Sequence, residues 1–429
     1  MWILIGLLAL RFAISTILSA LNLQHLRQRA AAGPPQEWVD ELDTGQFPRM
    51  IAYTAARTRL GHGARAWDLV VTCAILLSGL LPVSARWAAS LSIAPVFQGL
   101  IMLTIPAGIE YLANIPWDLA AQFGVEKRFG FSTITVKTWV TDQAKSLLLM
   151  GILGTLLGGG LLLLIGWLGS WWWAPAWVLF GLFQLLMTFI APLLILPLFN
   201  KFEPLQDETL REEILGLAKR ADFPLEGVYQ VDASRRSTHS NAYFTGLGKT
   251  RRIALFDTLL EQHSHPEILA VLAHEIGHWV KHHVIWMMAG SILASGAGLY
   301  AAALLLRVPW LYEAIGAAGL YARLGPTGPA VAVGLYVIGI LVSPVGLILS
   351  PIANWLSRRN EYQADAYALQ LYPHPHALED ALIRLSEKNL SNLFPHPLVV
   401  VFRYSHPPLT QRVSAIRQRA EEIEATAGQ

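Results

Sequence analysis

The stretch HPEILAVLAHEIGHWVKHHVIWMMAGSILASGAGLYAAALLL, residues 265–306, decides the fold because it joins a motif-bearing helix to a long apolar run. Ser264 and Glu267 stand at the spacing of a capping box, with Pro266 in the first turn, which predicts a helix that begins at about residue 265. No turn-former separates this helix from the apolar run. We therefore expect one continuous helix that enters a lipid bilayer.

The first half of this stretch contains His274-Glu275-Ile276-Gly277-His278. Two imidazoles four residues apart lie on one face of a helix and can bind one metal ion, and Glu275 would then lie beside the water on that metal. Cys73 is the only cysteine, so a cysteine metal site is excluded. Any transition metal here must be bound by His, Asp or Glu.

The composition predicts a membrane protein. The chain has 429 residues, of which 54% are hydrophobic and 14% charged, with a mean hydropathy of +0.43. A spanning helix needs about 20 apolar residues, and the runs that qualify lie near 2–22, 67–83, 91–114, 146–169, 174–198, 284–306 and 330–352. We therefore predict seven membrane spans. The first run begins at Met1 without a basic region or a small-residue cleavage site, so we expect a retained helix.

Lys and Arg alternate between successive connections, which predicts the orientation. Under the positive-inside tendency, the first, third and fifth connections and the C-terminus are cytoplasmic, and the N-terminus is outside. The formal net charge of +2 is too small to indicate a nucleic acid as partner.

The polar sequence predicts the domain organisation. We expect transmembrane helices 1 to 5 in 1–198, a cytoplasmic catalytic segment in 199–283, transmembrane helices 6 and 7 in 284–352, and a C-terminal catalytic segment in 353–429. Within the first catalytic segment the pattern predicts a helix at 207–221 and strands at 228–231 and 241–256, the latter broken into a hairpin by Gly246 and Gly248.

The third metal ligand is expected after span seven. Spans six and seven form an antiparallel pair, so the chain after residue 353 returns to the neighbourhood of His274, and a helix there places Glu361 and Asp365 one turn apart on one face. Two histidines and Glu361 leave the fourth position of a tetrahedral Zn²⁺ open for water, as in catalytic sites. Glu275 would take the proton of that water, and Asp365 would orient a ligand histidine through its other ring nitrogen.

These residues resemble those of a known family. His274-Glu275-x-x-His278 with Glu361-x-x-x-Asp365 resembles the gluzincin metallopeptidases. Further similar segments are NKFEPL (200–205), NAYF (241–244), RIALFDTLL (252–260), SHPPL (405–409) and VEKRFGF (125–131). Together they resemble the Ste24-type CAAX prenyl proteases of the M48 family, and the similarity covers most of the chain.

The resemblance implies an architecture and an activity. The fold would be an all-α membrane protein with seven helices around a large intramembrane chamber, and a small α+β zinc protease domain on the cytoplasmic face. One Zn²⁺ per chain would serve the cleavage of peptide or protein substrates, lipidated or not, near the C-terminus of CAAX-like or other membrane-associated chains. The protein itself would lie in the lipid bilayer. The absence of a lysine-rich retention tail favours a bacterial inner-membrane member over one of the endoplasmic reticulum.

The resemblance also implies roles for residues outside the motif. Asn241, Ala242, Tyr243 and Phe244 would form the edge strand that pairs with an extended substrate. His406 would stabilise the oxyanion of the reaction. Arg412 would either anchor the C-terminal segment to the site or meet the substrate carboxylate.

Other interpretations stay open at this point. The chain could be an HtpX-like membrane quality-control protease, although seven spans are more than that type has, or a multi-pass transporter with a structural zinc site. His406 could shape a turn, Asp365 could form a surface ion pair, and 241–244 could be plain sheet core. Glu110 could face a hydrated interior or hold a neighbouring helix near Asn114. We expect no metal ligand among His282 and His283.

Overall fold

The membrane-spanning half of the chain is a bundle of long helices. The computed structural model describes residues 1–31, 33, 45–245, 251–325 and 327–427. Its first helices are α1 (Trp2–Ala30), α2 (Gln46–Leu77), α3 (Leu80–Ser90), α4 (Pro95–Leu119), α5 (Val136–Leu168), α6 (Trp173–Ile190) and α7 (Leu196–Phe199). One π-helical segment, Ala120–Glu126, extends α4, and another, Ala191–Ile195, joins α6 to α7.

The polar segment that follows is a small mixed unit. Its elements are β1 (Phe202–Pro204), α8 (Glu208–Arg220), β2 (Gly227–Val231), β3 (Ala242–Thr245), β4 (Arg252–Phe256), α9 (Asp257–Gln262) and α10 (His265–Val280). The chain continues through α11 (His283–Leu305), α12 (Pro309–Glu313), α13 (Ala318–Leu324) and α14 (Gly328–Leu371). It ends with α15 (Pro375–Lys388), α16 (Pro397–Arg403) and α17 (Leu409–Ala427).

Seven helices of the described ranges are long and apolar enough to cross a membrane, which confirms the predicted number. They are α1, α2, α4, α5, α6, α11 and α14, with α4 to α6 extended by the short segments after them. The large apolar side chains that point outward from these helices are exposed, as expected of a surface that contacts lipid. The protein is therefore a multi-pass integral membrane protein.

The second span differs from its prediction. Instead of a helix over 67–83, the structure has α2 from Gln46 to Leu77, followed by α3, because Gly79 adopts a left-handed conformation (φ +74°) that ends the first helix. The polar first half of α2, before the predicted span, is also helical. Its Phe47, Met50 and Tyr53 lie in one buried apolar cluster with Phe129. Tertiary packing, which the hydropathy does not reveal, extends this helix.

The predicted continuity of the motif helix into span six is wrong. Helix α10 ends at Val280 and α11 begins at His283, with His282 between them in the left-handed region (φ +56°). A non-glycine residue in that region terminates an α-helix and turns the chain. The two helices therefore meet at a break.

The sheet of the polar unit has the order β1-β2-β4-β3. β1 pairs antiparallel with β2, β2 pairs parallel with β4, and β3 pairs antiparallel with β4, so β3 is an edge strand. The predicted strands and their antiparallel pairing are confirmed, whereas the predicted turn at Gly246 and Gly248 lies outside the described residues. The sheet and α10 share one apolar core with α8, α14 and α15.

Helix α14 links the bilayer to the polar unit. Its 44 residues continue through Pro344 and Pro351 without a break, which membrane helices tolerate where neighbouring groups satisfy the freed carbonyls. Its first turns lie in the apolar core of the membrane half, with Ala330, Val333 and Val337 buried. Its last turns pack against α10.

Candidate metal centre

Helix α10 positions the two histidines of the motif. The helix begins with the predicted capping box, in which Ser264 and Glu267 bond each other's backbone N–H, and its apolar face is buried in the core of the polar unit. His274 is buried, and its Nε2 lies 3.2 Å from Nε2 of His278. Two ring nitrogens thus face one point in space.

Helix α14 brings Glu361 to the same point. One carboxylate oxygen, Oε2, lies 3.4 Å from His274 Nε2, and the other, Oε1, lies 3.3 Å from His278 Nε2. Ligand atoms of the three residues all lie within 4.8 Å of one another. The predicted return of the chain after span seven therefore brings the three expected ligands together.

The chemistry of this cluster fits a divalent metal ion. Glu361 is 4% exposed, and its Oε2 has no hydrogen-bond partner within the described residues, although a buried carboxylate oxygen without a partner is costly. Two imidazole nitrogens that face each other at hydrogen-bond distance cannot both present a lone pair favourably. A cation between these three groups satisfies all of them, and two nitrogens with one oxygen are a donor set of catalytic zinc sites.

Asp365 lies one turn after Glu361 and contacts the far side of the first histidine. Its Oδ1 is 2.7 Å from His274 Nδ1, so the Nδ1–H donates to Asp365 and the lone pair of Nε2 faces the cluster. Burial lowers the pKa of His274, but the carboxylates of Asp365 and Glu361 outweigh it and raise the pKa to about 9. The two carboxylates thus favour positive charge at Nε2, either from a proton or from a metal ion in its place.

Arg412 is buried on the other side of Asp365. Its Nε and Nη2 donate to the two oxygens of Asp365 at 2.9 and 2.6 Å, and its Nη1 lies 3.6 Å from Glu361. This bidentate contact favours the anchoring role among the two expected for Arg412, because the guanidinium is occupied by the protein's own carboxylates. A direct contact with substrate stays a prediction.

Two further expected residues flank the cluster. His406, on the loop before α17, has its Nε2 3.3 Å from Glu361 Oε1, while its side chain is 63% exposed and its Nδ1 contacts Ser405. Glu275 follows His274 on α10 and is half-buried. A cavity of about 750 Å³ opens beside His406, and its lining also includes Arg412, Tyr53 and Asn389.

The segment Asn241, Ala242, Tyr243 and Phe244 lies along the free edge of the sheet, against α10. The carbonyl of Asn241 accepts from the N–H of Phe256, so the backbone groups of 241, 243 and 245 face β4. Those of Ala242 and Phe244 consequently point away from the sheet, although Asn241 Oδ1 accepts from the N–H of Ala242. Among the residues that the structure describes, no strand pairs with the outer side of β3.

Sequence reasoning missed His283 and Gln363. The Nδ1 of His283 lies 3.0 Å from Nδ1 of His278, and its Nε2 lies 2.9 Å from Oε1 of Gln363. The sequence predicted no metal ligand at His282 or His283, because neither has a partner at ligand spacing, and it did not predict a contact between His283 and His278. The break at His282 brings them together, and no glycine or proline marks it.

Two family models match the chain. Residues 22–201 match the CAAX prenyl protease N-terminal family of five membrane helices, and residues 204–420 match peptidase family M48. The matches cover the membrane helices and the metal centre together. Neither the HtpX-like nor the transporter interpretation is favoured by this pattern.

Relatives with similar sequences extend over nearly the whole chain. CAAX prenyl protease 1 of Saccharomyces cerevisiae is 34% identical over 405 residues, which covers 89% of this chain and 88% of the relative. The human CAAX prenyl protease 1 homolog is 31% identical, with coverage of 89% and 88%. A metalloprotease of Bacillus subtilis, YhfN, is 32% identical and covers 82% of this chain and 79% of its own length.

The solved structure of S. mikatae Ste24p is similar in fold. It has a TM-score of 0.88 and 32% sequence identity, over 97% of this chain and 98% of that chain. The arrangement of seven membrane helices with a small sheet unit is therefore shared along the entire length.

Proposed function

The chain belongs to peptidase family M48, as an integral membrane metalloendopeptidase, and from this premise we propose that His274, His278 and Glu361 bind one Zn²⁺. The observation that carries this proposal is that the two Nε2 atoms and a buried carboxylate oxygen of Glu361 lie close together, and that this oxygen accepts no hydrogen bond from the described residues. The donor set of nitrogen and oxygen suits zinc, and Cys73 is the only cysteine.

Glu275 is proposed as the general base. When bound, zinc polarises the substrate carbonyl and acidifies water. Glu275, adjacent to His274 on the same helix, takes the proton of the attacking water on its carboxylate and delivers it to the nitrogen of the cleaved amide. Its side chain is half-buried, so part of it stays accessible to an incoming water. Two proton transfers through one carboxylate complete the hydrolysis.

His406 is proposed to stabilise negative charge on the substrate carbonyl oxygen. Its Nε2 lies 3.3 Å from Glu361 and its ring is open to the cavity, so an N–H there can donate to an oxygen that enters the centre. Ser405 beside its Nδ1 helps to orient the ring. A donor aimed at developing charge is worth more than one that binds the ground state.

The edge strand is proposed to hold the substrate main chain. The outward groups of Ala242 and Phe244 on β3 offer a carbonyl, an N–H and a second carbonyl to an extended peptide. Such strand addition binds main chain of almost any sequence, with side-chain pockets adding selectivity. The strand packs on α10, so a peptide paired with it lies beside Glu275.

We propose that the substrates are peptides or proteins cut near a CAAX-like C-terminus, lipidated or not, because relatives matched over nearly their full length are named CAAX prenyl proteases.

We propose a bacterial inner membrane as the location, since a bacterial relative covers most of this chain. The alternating distribution of Lys and Arg supports a cytoplasmic catalytic unit composed of 199–283 and 353–429.

A hydrated chamber within the membrane half is part of the same proposal. Glu110 on α4 accepts a hydrogen bond from Tyr336 on α14 at 2.6 Å, and Asp118 accepts one from Trp139 at 2.7 Å. Ionisable residues at such depth face protein or water. The bond from Tyr336 joins α14 to α4, so a structural role for Glu110 is compatible with a polar interior.

The test is a cleavage assay on the full chain purified in detergent. Bound zinc is measured by elemental analysis, and prenylated and unprenylated C-terminal peptides are incubated with and without a chelator. We expect about one zinc per chain and cleavage that the chelator abolishes and added zinc restores. Absence of zinc from folded protein, or cleavage unaffected by the chelator, would overturn the proposal.

A further inference from the structure

The second motif histidine has its own buried partner on a different helix. His283, the first residue of α11, is 4% exposed, and its Nδ1 lies 3.0 Å from Nδ1 of His278. Its other nitrogen, Nε2, lies 2.9 Å from Oε1 of Gln363 on α14. His278, His283 and Gln363 therefore form a short linear relay that starts on the face of His278 opposite Glu361.

The metal cluster at one end of this relay and the amide oxygen of Gln363 at the other determine which ring nitrogen of each histidine carries the proton. A neutral imidazole whose Nε2 lone pair faces the metal cluster carries its proton on Nδ1. That Nδ1–H of His278 must donate to Nδ1 of His283, which leaves the proton of His283 on Nε2. The Nε2–H in turn donates to the amide oxygen of Gln363, and a carbonyl oxygen can only accept.

The break between α10 and α11 makes this contact possible. At about 100° per residue, the side chain five positions after His278 on a continuous helix would point roughly 140° away from it. His282 instead adopts a left-handed conformation (φ +56°), which is unfavourable for a non-glycine residue. The turn brings the ring of His283 back against His278, at an interplanar angle of 71°.

The two motif histidines thus have partners of different charge. His274 donates to the carboxylate of Asp365, whereas His278 donates to a neutral ring that ends on an amide. A carboxylate in the place of His283 would add negative charge beside Glu361. A bound metal ion would then accept electron pairs less strongly from water and substrate. A neutral relay fixes the ring without that effect.

We propose that His283, through Gln363, is a positioning residue that holds His278 in its Nδ1–H tautomer and thereby sets the affinity for zinc. The inference rests on the proposed function only in that His278 is a ligand. It assigns a role to a residue that contacts neither the substrate nor the metal. Outer partners of ligand histidines change metal affinity by roughly 10- to 100-fold.

The test measures zinc affinity by competition with a chelator of known affinity, independently of cleavage. His283→Leu removes the acceptor and should weaken zinc binding by roughly 10- to 100-fold. His283→Asn keeps an oxygen acceptor near the Nδ1 position and should retain most of the affinity. His282→Asn is the matched control, because Asn tolerates the left-handed conformation and His282 is exposed. It should bind zinc as the parent does.

Gln363→Met tests the far end of the relay without altering the ring contact. It removes the oxygen that accepts from Nε2 of His283 but keeps the ring contact with His278, so we expect a weaker loss than in His283→Leu. The double variant should be no worse than His283→Leu, since Gln363 acts through His283. Thermal unfolding of the metal-free variants identifies any that fail to fold.

Each result decides the inference. Parent-like affinity in folded His283→Leu, or in Gln363→Met if the former does not fold, would overturn it. Equal losses in His283→Asn and His283→Leu would also overturn it, because the acceptor would then be irrelevant. A parent that binds zinc but cuts no peptide would refute the proposed function alone, since the affinity series is read without a substrate.

Discussion

Gly277 faces the backbone of Ala364 with no space for a side chain between them. A Cβ added to Gly277 would lie 3.0 Å from both the Cα and the carbonyl oxygen of Ala364, closer than ordinary contacts. This is the point at which α10 and α14 cross nearest the ligands. The distance between the two histidines and Glu361 therefore depends on residue 277 having no Cβ.

Gly277→Ala should separate the two helices and weaken zinc binding by about tenfold or more, because overpacking of a tight contact costs about 1–3 kcal/mol. Chelator competition measures the change. Gly216→Ala in α8 is the control, since a Cβ there meets nothing within 4 Å. It should stabilise the protein by about 0.4–1 kcal/mol and leave zinc binding unaltered. Unchanged affinity in Gly277→Ala would show that the helices adjust without effect.

Glu275→Gln should retain zinc and lose peptide cleavage by roughly 10²- to 10⁴-fold, because the amide keeps the shape but cannot carry the proton. Zinc content and the turnover number are measured on the same preparation. Turnover equal to that of the parent on any peptide that the parent cuts would exclude Glu275 as the base.

Glu361→Gln should lose the metal itself. The amide is a poor ligand for zinc, and the site would keep two histidines only. Zinc content after purification is the measurement, with Glu275→Gln as a control that alters another carboxylate of the same centre. Full zinc occupancy in Glu361→Gln would mean that a different residue supplies the third ligand.

Arg412→Met should destabilise the fold by about 3–5 kcal/mol, because it leaves the buried carboxylate of Asp365 without its bidentate partner. Denaturant unfolding in detergent measures the change. Arg211→Met is the control, since its ion pair with Glu208 is solvent-exposed and such pairs contribute about 0–1 kcal/mol. Similar small losses in the two variants would argue against an anchoring role for Arg412.

Peptide substrates N-methylated at one residue at a time should reveal the edge strand. Because outward backbone groups alternate along β3, methylation should reduce kcat/KM at every second residue and spare the residues between. Each lost backbone hydrogen bond is worth about 0.5–1.5 kcal/mol, or roughly threefold to tenfold. A peptide methylated far from the cleaved bond is the control. A uniform response along the peptide would contradict strand pairing.

Much of the centre could be predicted because its determinants are local. The spacing of His274 and His278 on a helix is set by helical geometry, and Glu361 follows from two antiparallel spans that return the chain to one side. The strands within 241–256 followed from the sequence pattern, whereas the edge-strand role of 241–244 came from the resemblance to the Ste24-type proteases. These inferences need no knowledge of distant packing.

The features that were missed depend on long-range contacts. The parallel pairing of β2 with β4 joins strands that are separated in the chain by β3. The polar half of α2 is helical because Phe47 and Met50 meet Phe129, some distance away in sequence. The residue in the left-handed conformation is a histidine, and not the glycine or asparagine that usually adopts it. The sequence therefore predicted neither the break at His282 nor the contact between His278 and His283.

The 44-residue α14 spans the bilayer and carries Glu361 in its last turns, so at 1.5 Å per residue it is a rod about 66 Å long. His274 and His278 lie on a helix that a break separates from its own membrane anchor. Membrane thickness affects the tilt of spanning helices, so we expect it to act more directly on Glu361 than on the two histidines. We therefore expect the metal affinity of the proposed site to change with the thickness of the surrounding bilayer.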